Sequence, residues 1–258
     1  MGAAMLRGWL GAKSFSMIHV VEPKPTRALR LLAKEKKITL TTHLSLAKGK
    51  EFSAAVLAIK PQLLREQTEL LRDLGQCGAL VLSIAAGITT RRLAAGLKSD
   101  VPLVRAMPNT PGAIGRGITA LYAAKRLKRS QRALAEQLVA ALGESFWVAE
   151  EKLIDAVTAV SGSGPAYVFL FAEALAAAAC ERGLDAVVAD KLARATIIGA
   201  AALLDEDKRS AALLRQEVTS PGGTTEAALK ILMGRDGMRP LIRSAVKAAA
   251  RRSKELGK

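Results

Sequence analysis

Apolar positions divide the chain into two parts that predict different structures. From residue 15 to about 147, short runs of β-branched and other apolar residues alternate with stretches in which apolar residues recur at helical spacing. The predicted strands cover 17–21, 54–59, 79–83, 103–107, 118–122 and 145–148, and the predicted helices between them cover 26–36, 62–74, 90–97 and 130–142. Because parallel strands need a crossover connection, this alternation predicts a mostly parallel, doubly wound sheet.

After about residue 150 the strand pattern ends and only helices are predicted. These helices cover 165–182, 187–205, 211–218, 225–233 and 238–256, and they are rich in alanine and leucine. We therefore predict an α/β domain over residues 1–150 and an all-helical domain over residues 151–258. The segment 173–180 is apolar on most faces, which predicts that this part is buried against a second copy of the chain.

Composition narrows the classes of function. The chain has 258 residues, of which 50% are hydrophobic, and this suits a globular protein of two domains. Glycine, serine and proline interrupt the longest uncharged run, residues 156–172, so we expect no membrane span. The N-terminus does not show a cationic segment followed by a long apolar core, and we expect a cytoplasmic protein.

The formal net charge of +16 makes nucleic acid a partner to consider. Much of the excess lies in a helical stripe of Arg239, Arg243, Lys247 and Arg251, which recur every four residues. Aromatic residues make up only 3% of the chain and do not interleave with this stripe, so it offers no platform for base stacking. We expect no nucleic-acid partner and interpret the charge as steering for an anionic substrate or cofactor.

Cysteine and histidine positions do not predict a metal site or a disulfide framework. Cys77 and Cys180 are far apart in sequence and have no paired spacing, so we expect both to be small buried apolar side chains. His19 lies in an apolar run and His43 in a short polar connection, and neither has a second ligand nearby in sequence.

Three predicted strands end in turns that suit ligand binding. They are followed by Ala58-Ile-Lys-Pro61, by Ser83-Ile-Ala-Ala-Gly87 and by the end of Arg105-Ala-Met-Pro-Asn-Thr-Pro111. A doubly wound domain binds its ligand at the carboxyl ends of its strands. Small residues there let a flat ring lie against the backbone, while lysine can hold a phosphate or a carboxylate. Each turn taken singly is also compatible with ordinary turn chemistry.

In the helical part, the segment Glu217-Val-Thr-Ser-Pro-Gly-Gly-Thr-Thr225 predicts a rigid turn that leads into a helix. Proline fixes its own φ, the two glycines allow positive φ, and the threonines stand where helix amides need acceptors. Amides at a helix N-terminus favour an anion, so the turn can hold a small carboxylate. An ordinary helix cap is the alternative interpretation.

Three motifs together resemble pyrroline-5-carboxylate reductases. They are Arg105-Ala-Met-Pro-Asn-Thr-Pro111, Val160-Ser-Gly-Ser-Gly-Pro-Ala-Tyr167 and Val218-Thr-Ser-Pro-Gly-Gly-Thr-Thr225, and the resemblance extends over nearly the whole chain. It implies a Rossmann-type dinucleotide domain followed by a helical dimerisation domain, with dimers assembled into larger rings. It also implies reduction of L-1-pyrroline-5-carboxylate to L-proline with NADPH or NADH.

The resemblance also implies the site residues. Cofactor-binding positions are Gly2, Glu22, Ala58, Ile59, Lys60, Pro61, Ala85 and Ala86, with Ser45 near the adenosine and Asn109 near the nicotinamide. Substrate positions are Glu217, Ser220, Gly222, Gly223, Thr224 and Thr225. The Thr225 hydroxyl is expected to bond the ring nitrogen, so that catalysis rests on orientation without a metal or a covalent nucleophile.

The chain departs from the family at its beginning. Family members start with a strand and a turn of the form G-x-G-N-M-G, of which only Met1-Gly2 is present here. We expect the missing strand to leave neighbouring strand edges unpaired, and we expect a start codon assigned too late. A truncated, non-catalytic oligomeric remnant is one alternative. A related dehydrogenase acting on another small acid is the other.

Cofactor preference remains open in the sequence. Glu22 ends the second strand of the family pattern, where an acidic group favours the free 2′-hydroxyl of NADH. Lys24 and Arg27 could instead receive the 2′-phosphate of NADPH.

Overall fold

The computed structural model describes residues 1–44, 52–64 and 68–257. Contacts between residues divide the chain into two compact units. The first comprises 1–162 together with 250–258, and the second comprises 163–249.

The first unit contains two sheets. Their strands are β1 (His19–Val21), β2 (Thr39–Thr41), β3 (Ala54–Leu57), β4 (Leu80–Ser83), β5 (Leu103–Met107), β6 (Gly117–Tyr122) and β7 (Gly143–Trp147). A parallel pair joins β1 to β2, and a five-stranded sheet has the order β3-β4-β5-β6-β7. Strands β3, β4 and β5 are parallel to one another, and β6 and β7 are parallel to each other but antiparallel to those three.

Helices cover both faces of the larger sheet, and one helix packs against the smaller sheet. The helices of this unit are α1 (Gly2–Ala12), α2 (Arg27–Lys34), α3 (Pro61–Leu64), α4 (Thr68–Gln76), α5 (Thr90–Leu97), α6 (Arg129–Ala140) and α7 (Leu153–Val157). Of these, α2 packs against β2 of the smaller sheet. Neighbouring residues of β4 face opposite sides: Leu82 packs in one core with Met5 of α1, and Val81 packs in a second core with Leu93 of α5. A core on each face confirms the doubly wound α/β fold.

The second unit is helical, as predicted. It contains α8 (Gly164–Glu181), α9 (Ala186–Glu206), α10 (Ala211–Glu217), α11 (Thr224–Leu232) and most of α12 (Met238–Leu256). Small residues such as Ala189 and Ala193 are buried in α9, but α8 has no buried residue. Phe169 is 64% exposed and Ile198 is 69% exposed. This unit alone therefore covers little of its own apolar surface.

The sequence located most elements to within a few residues. The bounds of α5 and α12 agree with prediction, whereas the three-residue strand β2 and the short helix α7 were not predicted. The predicted burial of the cysteines is wrong, because Cys77, in the turn after α4, and Cys180, in the last turn of α8, are both exposed. Among the described strands, β1 pairs with β2 and β3 pairs with β4.

Within residues 1–44, 52–64 and 68–257, one apolar run passes the length and hydropathy criteria for a membrane span. It is Leu153–Glu181, with a mean hydropathy of 1.4 in its most apolar window. Helices that form cores of soluble proteins meet the same criteria. The run also contains the π-helical turn Thr158–Gly162 and Pro165, which interrupt a regular helix.

Candidate active site

The N-terminus of α1 and the end of β3 meet at two residues that were predicted to bind cofactor. A Cβ built on Gly2 would lie 2.7 Å from the Cβ of Ala58, so only glycine fits against this strand end. The first turn of α1 contains no acidic residue, and its positive pole is not neutralised from within the turn. These features suit a phosphate group at the helix N-terminus.

The segment from Ala58 to Pro61 turns directly from β3 into α3. Ala58 and Lys60 are exposed, and Ile59 and Pro61 are half-buried. Pro61 is the first residue of α3, where its fixed φ suits a helix and its missing N–H costs no hydrogen bond. The turn thus presents a small side chain and a flexible cation on its exposed side.

A second turn follows β4 and is anchored by the core. Ala85 is only 4% exposed and belongs to the second core, whereas Ala86 is exposed. The Ala85 amide donates to the Ser83 hydroxyl at 3.3 Å. Gly87 has a φ of +69°, which side-chain-bearing residues rarely adopt. Contact with a ligand here would therefore involve the Ala86 side chain and the backbone of the turn.

The side chains of Asn109 and Glu22 each accept a hydrogen bond from a backbone amide of the protein. The Asn109 Oδ1 accepts a hydrogen bond from the Ile118 amide at 3.0 Å, which leaves its NH₂ group for a ligand. Glu22 follows β1, and its Oε1 accepts from the Lys24 amide at 3.0 Å. Ser45, predicted near the adenosine, lies outside the described residues.

The predicted substrate corner forms a tight turn before α11. The Gly223 amide donates to the Ser220 carbonyl at 3.0 Å, and Gly222 has a φ of +71°. A Cβ on Gly223 would lie 2.5 Å from Ser220 Oγ and 3.0 Å from the Ser220 carbonyl oxygen, so the Ser220 side chain would have to move. The positive φ favours glycine at position 222, and the close approach of Ser220 favours it at position 223.

Helix α11 begins one residue earlier than its predicted start at 225. Gly223 is the N-cap and makes no side-chain cap, so the prediction that the threonines cap the helix is wrong. Because the first turn of a helix leaves its amides unpaired, those of Thr224 and Thr225 point out of the helix end. Within the described residues, neither threonine hydroxyl makes a hydrogen bond. The corner thus offers amides and hydroxyls to a small ligand.

Glu226 is a residue of the corner that the sequence analysis missed. Its Oε2 accepts a hydrogen bond from the Gly222 amide at 2.7 Å. It stands three residues after the N-cap, where glutamate commonly reaches back to an amide before the helix. The spacing of Gly223 and Glu226 was the signal available in the sequence.

Glu217 is bound within the protein. Arg209 donates to Glu217 at 3.0 and 3.3 Å and also to Asp207 at 2.7 Å. The donors of Arg209 hold the pKa of the Asp207 carboxyl below its usual value. Since the Glu217 carboxylate would repel a substrate carboxylate, its pairing with Arg209 suits a supporting position better than direct contact with an anion.

Comparison with known proteins shows what the chain resembles. Residues 151–256 match the family described as pyrroline-5-carboxylate reductase dimerisation. The pyrroline-5-carboxylate reductase of Mycobacterium leprae is 37% identical over 281 residues, which cover 99% of this chain and 93% of the relative. That of Synechocystis is 45% identical over 203 residues, which cover 79% of this chain and 74% of the relative.

Solved structures agree with the sequence relatives. The pyrroline-5-carboxylate reductase of Coxiella burnetii has a TM-score of 0.90 at 37% identity, with 100% of this chain and 95% of that chain covered. The pyrroline carboxylate reductase of Plasmodium falciparum, solved with NADP bound, has a TM-score of 0.80 at 25% identity and the same coverage. The chain therefore belongs to the pyrroline-5-carboxylate reductase family.

Proposed function

We infer that this chain is an NAD(P)H-dependent reductase that converts L-1-pyrroline-5-carboxylate to L-proline, the last step of proline biosynthesis. The observation that carries this inference is family membership over most of the chain, combined with the turn from Ser220 to Thr225. This turn offers unpaired helix amides and two hydroxyls in one place, which suits a small cyclic imine that carries a carboxylate.

The residues of the first unit suit a dinucleotide. Gly2 leaves room where α1 meets Ala58, Lys60 is exposed beside it, and Ala86 lines the neighbouring strand end. We propose that these residues contact the phosphates and the nicotinamide end, with Pro61 and Ile59 shaping the turn. The bound dinucleotide supplies a hydride for the imine carbon. The choice between NADH and NADPH depends on Glu22, Lys24 and Arg27.

The substrate residues act by orientation. We propose that the amides of Thr224 and Thr225 hold the carboxylate at the positive end of α11, while the Thr225 hydroxyl bonds the ring nitrogen. That hydroxyl determines which face and which carbon of the ring are presented to the dinucleotide. It stays beside the ring nitrogen as the nitrogen becomes protonated. Gly222, Gly223 and Ser220 keep the turn tight enough for both contacts.

Assembly and location follow from the same proposal. The family's dimerisation domain lies at residues 151–256, and it supports a homo-oligomer formed through this part. We propose a dimer that assembles into a larger ring in the cytoplasm, without a membrane or nucleic-acid partner. Burial of α8 against a second copy would account for its exposed apolar residues without a membrane. We place the boundary between the two domains near residue 150.

Steady-state assays of the purified protein test the proposal. We expect turnover of L-1-pyrroline-5-carboxylate with NADPH or NADH, and formation of proline confirmed by amino-acid analysis. A panel of hydroxy and keto acids should give no comparable turnover, and activity on one of them alone would indicate a related dehydrogenase. A fluorescence titration that shows no binding of either dinucleotide would indicate a non-catalytic remnant.

A further inference from the structure

The last turn of α12, residues 253–257, belongs to the first unit and makes a part-buried hydrogen bond within it. We call these residues the C-terminal turn. The Ser253 hydroxyl donates to Asp155 Oδ1 at 2.7 Å, and Ser253 is only 6% exposed. The two residues are 98 positions apart in sequence. A short bond between a buried hydroxyl and a carboxylate fixes both groups, since a carboxylate is the stronger type of acceptor.

The same C-terminal turn lies against the turn that follows β4. A Cβ built on Gly87 would be 3.1 Å from the Leu256 carbonyl oxygen and 3.2 Å from the Leu256 Cβ. Gly87 is buried by this contact and by its own turn, and the next residue, Ile88, belongs to the second core. Gly87 is thus confined between the core on one side and the C-terminal turn on the other.

A polar cluster holds the far end of the turn that follows β4, at the point where α5 begins. Glu151 Oε1 accepts from the Thr90 amide at 2.8 Å and from Arg105 at 2.9 Å, and its Oε2 accepts from the Thr90 hydroxyl at 2.7 Å. The Arg105 side chain is 5% exposed. A cleft of about 280 Å³, lined in part by Arg105, Asp155 and Lys254, separates this cluster from the C-terminal turn. Two separate attachments, with open space between them, therefore hold the turn after β4.

We propose that the C-terminal turn positions Ala86 and Gly87 for the dinucleotide, with Ser253 as the positioning residue. The inference rests on the proposed function, in which Ala86 contacts the cofactor. Without the Ser253 hydroxyl, Asp155 loses a donor, Leu256 is no longer held against Gly87, and the turn after β4 samples other conformations. The ordered turn then has to be restored when the dinucleotide binds, which weakens binding.

The test compares Ser253→Ala, which removes the donor, with Ser253→Thr, which keeps it. Ser244→Ala is the matched control, because it makes the same change at an exposed position of the same helix. We expect Ser253→Ala to raise the Kd for NADPH or NADH, measured by fluorescence titration, by about 3- to 10-fold. The KM for L-1-pyrroline-5-carboxylate should stay unchanged, and the threonine and control variants should bind as wild type does.

Hydrogen–deuterium exchange supplies a readout that does not depend on activity. In the protein without dinucleotide, we expect faster exchange over residues 84–92 in Ser253→Ala than in wild type or in Ser244→Ala. A purely structural role would lower the melting temperature and the active fraction while leaving the Kd and the exchange of this segment unchanged. That result, or an equal rise of the substrate KM, would overturn the proposal.

The experiment also distinguishes a variant that fails to fold from a failure of the proposed function. If Ser253→Ala does not fold, Asp155→Ala is measured in the same way, because it removes the acceptor of the same hydrogen bond. Wild-type Kd and exchange in that variant would count against the proposal. If wild-type protein neither binds a dinucleotide nor reduces the substrate, the proposed function fails; if wild type does both and the variants match it, only the role of the C-terminal turn fails.

Discussion

At the scale of single residues, the substrate corner separates groups that hold the turn from groups that face a ligand. The Gly222 amide is bonded to Glu226 and Glu217 is bonded to Arg209, so both are committed within the protein. The Thr225 hydroxyl has no partner among the described residues. These differences in hydrogen bonding predict different effects for neighbouring substitutions.

Thr225→Ala should lower kcat/KM for L-1-pyrroline-5-carboxylate by about 10- to 100-fold, which equals roughly 1.4–2.8 kcal/mol, or one to two hydrogen bonds. The expected loss follows from removing the hydroxyl that we propose orients the ring nitrogen. Steady-state kinetics measure the effect, and Thr225→Ser is the control that keeps a hydroxyl. Wild-type kinetics in the alanine variant would exclude this role for Thr225.

Glu226→Gln should lower the KM for the substrate by about 2- to 5-fold at low salt, because it removes a negative charge beside the carboxylate site while keeping an acceptor for the Gly222 amide. Glu226→Ala should raise the KM, since the turn loses that acceptor. The KM is measured over a range of ionic strength, and added salt should shrink the glutamine effect.

The control for this charge effect is Glu206→Gln, which makes the same change at the exposed end of α9. It should leave the KM as in wild type. A fall in KM of equal size in both variants would assign the effect to net charge and not to the corner.

At the scale of elements, a charged cluster joins β5, the start of α5 and the segment before α7. Glu151 supplies both carboxylate oxygens to this cluster and is itself 23% exposed, whereas Arg105 is almost fully buried. A buried guanidinium that loses its carboxylate is left with an uncompensated charge, which is costly in a medium of low polarity.

Glu151→Gln should therefore lower the free energy of unfolding by about 2 kcal/mol, measured by urea denaturation. The matched control is Asp100→Asn, which breaks the Lys125 pair at 2.6 Å, whose side chains are 76% and 78% exposed. Because water already solvates that pair, its loss should cost less than about 1 kcal/mol. Equal losses in the free energy of unfolding in the two variants would contradict the claim that burial makes the Glu151 pair the more stabilising of the two.

The predicted bounds of helices and strands agree best with the structure where the pattern of apolar positions extends over many residues. The 19 residues of α12 carry enough turns for their period to define both ends. By contrast, β2 has only three residues, which is too short for an alternating pattern to stand out. Its pairing with β1 comes from tertiary contact, which no local signal encodes.

At the scale of the whole molecule, the helical unit leaves a large apolar surface uncovered. Phe169 and Leu170 of α8 are both 64% exposed, and Ile231 of α11 is 77% exposed. Surfaces of this kind mark protein interfaces, and they agree with the family's dimerisation domain in this part of the chain. In the proposed oligomer, association through these helices would provide the burial that the single copy lacks.

The double substitution Phe169→Asp and Leu170→Asp should shift the protein to smaller species, because burying a carboxylate in an apolar interface is unfavourable. Size-exclusion chromatography with light scattering measures the mass at several concentrations. Ile114→Asp is the control, since Ile114 is 79% exposed but lies in the first unit. An unchanged mass in the double variant would place the interface elsewhere.

The order of the elements, the two structural classes and the residues of the family motifs could be predicted before the fold was known. Helical and strand periods, turn glycines and motif residues are local properties of the chain, so the sequence is sufficient for them. The partners of the buried polar groups and of the turn after β4 came from the fold: Glu151 with Arg105 and Thr90, Ser253 with Asp155, and Leu256 over Gly87. These pairs are far apart in sequence, and only folding brings their polar atoms together.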